Sequence, residues 1–77
     1  MHKVIVYSTP TCPWCERTKQ FLKEHNIEFE DVDVSQDVER ATEMIMKSGQ
    51  MGVPVIDIDG NIIIGFDVDK IRKLLGL

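Results

Sequence analysis

Thr11-Cys12-Pro13-Trp14-Cys15 contains both cysteines of the chain, follows the apolar run Val4-Ile5-Val6-Tyr7, and opens an amphipathic segment that reaches His25. The run from Lys3 to Tyr7 is continuous and rich in β-branched residues, which predicts a buried central strand. Ser8-Thr9-Pro10-Thr11 is a loop of turn formers. From Pro13 onward the period changes: Trp14, Thr18, Phe21, Leu22 and His25 recur at helical spacing, and Asn26 is placed to close the helix in a left-handed conformation. A dithiol therefore stands where a strand hands over to a helix.

The remaining segments extend the same alternation. Ile27 to Val34 reads as a second strand, at a sheet edge because its alternation breaks around Glu30-Asp31. Ser35 is the expected N-cap of a second helix, with Asp37 in its first turn and Val38, Ala41 and Ile45 on its buried face, ending near Ser48-Gly49. Val53 to Ile58 and Asn61 to Ile64 flank Asp59-Gly60, a type I′ hairpin signal. Asp67 then caps a last helix, with Phe66 and Ile71 as a hydrophobic staple, Val68, Ile71, Leu74 and Leu75 inward, and Gly76 at its end. The order β-α-β-α-β-β-α predicts an α/β fold with a four-stranded mixed sheet flanked by three helices.

Composition narrows the function classes. Seventy-seven residues suit one domain, 1–77, and 43% hydrophobic with 29% charged residues suit a soluble globular chain. Nine basic against thirteen acidic side chains, a net charge of −4, argue against a nucleic-acid partner, which needs a basic stripe. No apolar stretch approaches the roughly 20 residues of a membrane span, and the start lacks the long apolar region of a signal peptide. A cytoplasmic location is expected. There, thiols are kept reduced, so a close cysteine pair points to catalysis or metal binding more than to a structural staple.

The spacing explains why the pair is reactive. Pro13 suits the first helical position, which makes Cys12 the N-cap and Cys15 the third helical residue. Backbone N–H groups and the helix dipole then favour a thiolate on Cys12, the nucleophilic form. Cys15, deeper in, keeps its proton until it attacks Cys12 in a mixed disulfide. A zinc site needs four ligands, and His2 and His25 lack ligand spacing to the pair, so no metal residue is assigned. A cluster or metal carried between two chains, each giving Cys12, stays open as a lesser alternative. A disulfide across two residues closes almost no loop and stabilises little.

Other residues have plainer readings. His25 caps or flanks the end of its helix. Trp14 is either a core anchor or a surface platform for substrate. Met44, Met46 and Met51 read as packing residues. Glu28, Glu30, Asp31 and Asp33 read as a solvated strand edge.

With these residues in place, the chain resembles a glutaredoxin of the thioredoxin-fold superfamily over essentially its whole length. The resemblance rests on Tyr7 to Cys15, on Gly52-Val53-Pro54 and on Ile64-Gly65-Phe66-Asp67. It implies a thioredoxin fold, a cis bond before Pro54 opposite Cys12, and a Val53 backbone that pairs with substrate by strand addition. It also implies that Gly65, Phe66 and Asp67 hold the γ-glutamyl end of glutathione, with Thr9, Pro13 and Trp14 along the groove. Implied partners are disulfide-containing proteins and glutathione as a co-substrate, with no permanently bound cofactor and a monomeric chain.

The pattern departs from the family at three points. Thr9 stands where many glutaredoxins have lysine, Gln50-Met51 where many have arginine, and Gly52 where threonine is usual. The first two remove cations that would meet a glutathione carboxylate, and Glu16 acts in the same direction. Gly65-Phe66 followed by Asp69 is also similar to NrdH-type redoxins, which implies thioredoxin reductase as reductant and ribonucleotide reductase as a partner.

Overall fold

The computed structural model describes residues 2–77; Met1, where the expected domain begins, lies outside the described residues. Its elements run β1 (Val4–Ser8), α1 (Pro13–Glu24), β2 (Glu30–Asp33), α2 (Val38–Ser48), β3 (Val55–Ile58), β4 (Asn61–Ile64) and α3 (Val68–Leu75). The sheet order is β2-β1-β3-β4, with β1 parallel to β2 and antiparallel to β3, and β3 antiparallel to β4. Element order and mixed sheet agree with the sequence.

All five residues of β1 are buried, because strand alternation sends successive side chains to two covered faces. Val4 and Val6 join Leu22, Ile56, Ile58, Ile63, Ile71 and Leu75 on the side of α1 and α3. Ile5 and Tyr7 join Val32, Val55 and Met44 of α2 on the other. Asp59 and Gly60 have φ of 52° and 89°, the two positive values a type I′ turn requires. The edge position of β2 also holds.

Several boundaries differ from expectation. β2 is shorter than Ile27 to Val34, and β3 begins at Val55 instead of Val53. Helix α2 is capped by Asp37, whose side chain accepts the Arg40 N–H at 3.1 Å. Ser35 does not cap it, because the Asp33 carboxylate takes both its N–H and its hydroxyl. The buried face is also rotated: Val38 is 82% exposed and Ile45 is on the surface, while Met44 is buried. Met46 and Met51, expected to fill gaps, are exposed. Glu30 and Asp31 are not merely solvated, since Arg40 and Lys19 pair with them at 2.9 and 3.2 Å.

The rotation of α2 has a polar cause. Beneath it the sheet presents the buried Tyr7 hydroxyl and Asp57 carboxylate, which need partners once removed from water. Tyr7 donates to Glu43, and Lys47 donates to Tyr7 at 2.9 Å and to Asp57 at 2.8 Å. Arg40 completes the group with Glu43 at 3.2 Å. The Tyr7 hydrogen bond holds the Glu43 carboxyl below its ordinary range, and Asp57 and Tyr7 hold the Lys47 ammonium above its own. Among the described residues, no buried side-chain nitrogen or oxygen lacks a partner.

Lys47→Met strands the Asp57 carboxylate and is expected to cost about 2 kcal/mol in urea unfolding. Lys47→Met with Asp57→Asn should recover at least half of that loss, since the charge is gone. Equal losses in the two variants would contradict this account.

A dithiol at a helix start as the candidate active site

Cys12 takes an extended conformation at φ −102°, ψ 107°, and Pro13 begins the helix behind it. The Cys12 sulfur accepts the Cys15 N–H at 3.2 Å, as an N-cap oxygen would. Both thiols are free, Cys12 partly exposed and Cys15 wholly buried. Burial, then the hydrogen bond to Cys12, pushes the Cys15 thiol up to about 12. A hydrogen bond from the Thr9 backbone and the nearby Lys19 ammonium act in the opposite direction without reversing it. The pair thus has one reachable sulfur and one that retains its proton at neutral pH.

Facing the dithiol, the Val53-Pro54 peptide is cis, and the Val53 carbonyl oxygen lies 3.9 Å from the Cys12 sulfur. Pro54 is buried, and its carbonyl accepts the Gly65 N–H at 2.9 Å. Gly65 can bring its backbone there because its φ is +79°. Trp14, Val53, Pro54, Gly65 and Phe66 together line a shallow groove of about 270 Å³. Trp14 is 58% exposed, with its ring centroid 6.3 Å from that of Phe66, so the surface-platform reading applies and the core-anchor reading does not.

The other expected site residues lie around this groove in different ways. Pro13 is exposed at the helix start. Thr9 meets the dithiol through its backbone, at Cys15 rather than at the groove. Asp67 caps α3, accepting the Lys70 N–H at 3.3 Å. His25 donates from Nδ1 to the Phe21 carbonyl at 2.9 Å, as a helix-end residue. Among the described residues, no three His, Cys, Asp or Glu side chains gather in a metal-holding cluster.

Lys19, which sequence alone does not single out, and Gln50, marked there only as a departure from the family pattern, belong to the surroundings of the site. Lys19, one turn after Cys15, is held by Asp31 at 3.2 Å and Glu16 at 3.4 Å, and the buried Ser8 donates to the same Asp31 at 3.0 Å. Its i, i+4 spacing from Cys15 was the available signal. Gln50 folds over the loop before the cis peptide. Its Oε1 accepts the Gly52 N–H at 2.6 Å, and its Nε2 donates to the Gly52 carbonyl at 2.9 Å. A Cβ at position 52 would stand 2.7 Å from that Oε1, so the missing threonine and the clasp go together.

A mixed sheet of this order, with Cys-Pro-x-Cys at a helix start facing a cis-proline, defines a redox protein of the thioredoxin fold. Comparison with known proteins narrows the class. The family model described as Glutaredoxin matches residues 4–63, and the chain belongs to the glutaredoxin family. It is 57% identical over 70 residues to the glutaredoxin-like 8.6 kDa protein in the rubredoxin operon of Clostridium pasteurianum, covering 91% of this chain and 93% of that one. The glutaredoxin of Archaeoglobus fulgidus superposes with a TM-score of 0.87 at 28% identity, covering 97% of this chain and 87% of that one. The glutaredoxin-like NrdH-redoxin of Escherichia coli gives 0.82 at 26% identity, covering 94% and 93%.

The raised Cys15 thiol has a thermodynamic consequence. From pH 9, the ordinary thiol value, to about 12, the unfolded chain has released this proton and the folded chain still holds it. Stability of the reduced protein must therefore fall with rising pH across that window. The fall should be shallower in Cys15→Ala, as read from urea midpoints at pH 8, 9.5 and 11. Parallel curves for the two proteins would show that Cys15 does not titrate in this way.

Proposed function

We propose that this chain is a thiol-disulfide oxidoreductase that reduces protein or glutathione mixed disulfides through a Cys12/Cys15 dithiol-disulfide cycle in the cytoplasm. The observation that carries the reading is the pairing of a partly exposed N-cap sulfur with a buried, proton-holding one a single turn away. The Cys12 thiolate attacks one sulfur of the substrate disulfide, forming a mixed disulfide and expelling the other sulfur as a thiolate. Cys15 gives up its proton, attacks Cys12 and releases the second substrate thiol. Two electrons have left the cysteine pair, and two from an external thiol reductant restore it. Val53 and Pro54 orient the substrate backbone, with Pro13, Trp14, Gly65, Phe66 and Asp67 around it and Thr9 behind the dithiol at Cys15.

A second reading concerns the reductant. Thr9 brings no cation to the groove, and Gln50 occupies both Gly52 backbone groups. These features support recharging by thioredoxin reductase, with ribonucleotide reductase as electron acceptor. The similar Escherichia coli NrdH-redoxin is described as glutaredoxin-like with a thioredoxin-like activity profile.

An NADPH-oxidation assay run with each recharging system separates the two. Turnover with glutathione and glutathione reductase supports the first, and turnover only with thioredoxin reductase the second. Cys12→Ser should reduce exchange to background, and Cys15→Ser should accumulate a mixed disulfide visible by intact mass. Equal residual activity in the two variants would refute the assigned roles.

A further inference from the structure

The face of α1 that leads away from Cys12 carries a strip of aromatic rings. Trp14, Phe21 and His25 share this face, and Phe66 bridges the first two, its centroid 6.3 Å from Trp14 and 5.8 Å from Phe21. The Phe21 and His25 ring centroids are 4.3 Å apart, with the rings tilted by 38°. A second hollow of about 450 Å³ lies beyond Phe66, lined by Arg17, Gln20, Phe21 and Glu24. Phe66 borders both hollows, so the second one extends the groove beside the dithiol.

Two cations sit over rings of this strip. The Arg17 guanidinium is 5.4 Å from the Trp14 centroid, and that of Arg72 is 5.6 Å from Phe21. Among the described residues, the ion pairs are made by His2, Lys19, Arg40 and Lys47, and neither of these arginines has a carboxylate partner. A guanidinium stacked on a ring keeps its N–H edge free, and that edge matches a carboxylate in two-pronged fashion. Glu24, at the far end, disfavours a second acid there. From Trp14 to His25 the helix rises about 16 Å, the reach of roughly five extended residues.

We propose that this strip docks the extended segment flanking the reactive cysteine of a disulfide-bearing substrate protein, and selects a segment with a carboxylate near the cysteine and a large aromatic or aliphatic side chain beyond it. The inference rests on the Cys12 reading above and specifies its substrate class. Glutathione has one residue on either side of its cysteine and cannot fill the far hollow.

The test uses two peptides as mixed disulfides with thionitrobenzoate, whose release reports attack by Cys12. One carries Asp and Phe within about five residues of its cysteine on either side; the other has Lys and Ser there. The first should react about tenfold faster, and Arg17→Gln with Arg72→Gln should remove the part of that ratio due to Asp while leaving the part due to Phe. A ratio of one in the unmodified protein, with glutathione disulfide still reduced, overturns the docking strip and leaves the dithiol reading standing. No attack on any disulfide overturns both. The single tryptophan gives a redox-independent check: in Cys12→Ser/Cys15→Ser, a serine version of the first peptide should shift Trp14 fluorescence saturably and the second should not. A dimer in sedimentation that Arg17→Gln dissociates would assign the strip to a second copy of the chain and overturn the proposal.

Discussion

The hydrogen bond from the Cys15 N–H to the Cys12 sulfur is the constraint on which the site depends. It can form only if a helix begins at Pro13, and the helix begins there because β1 ends in a short loop of turn formers. The same bond separates the two thiols in space. The capping sulfur stays at the surface, and the third helical residue is carried into the core, where desolvation holds its proton. One local geometry thereby supplies both the reachable sulfur and the buried, proton-holding one that the proposed cycle uses.

The sheet adds the opposite wall. Antiparallel pairing of β1 with β3 places Tyr7 beside Val55, so the residues just before β3 meet those just after β1. Val53 and Pro54 reach the dithiol by that pairing, and Gly65 reaches Pro54 by the pairing of β3 with β4. The two faces of the sheet are covered by different means. Under α1 and α3 the contact is a continuous apolar core. Under α2 it combines a smaller apolar cluster with the Tyr7, Glu43, Lys47 and Asp57 network, in which charged groups satisfy one another. This explains how a chain of 77 residues places charged side chains next to its core without leaving them unpaired.

Much of the molecule could be read from local signals. β1, the Cys12 cap, the Asp59-Gly60 turn and the Asp67 cap are each decided by a few neighbouring residues whose backbone preferences agree. Helix α2 departs from the local signals at two points for one reason: its start and its buried face depend on partners outside the helix. Asp33 takes Ser35, and Tyr7 and Asp57 draw Glu43 and Lys47 inward. Helical periodicity in apolar residues cannot reveal a face whose partners are polar.

The sequence by itself determined the element order, the Cys12 cap and which cysteine is carried inward, because capping and helix position are local. Tertiary structure alone decided that Trp14 is a surface ring, that Gln50 closes over Gly52, and that Lys19 is bridged to Asp31. These depend on which strands pair and which helix face turns inward, and those are settled by packing among residues far apart along the chain.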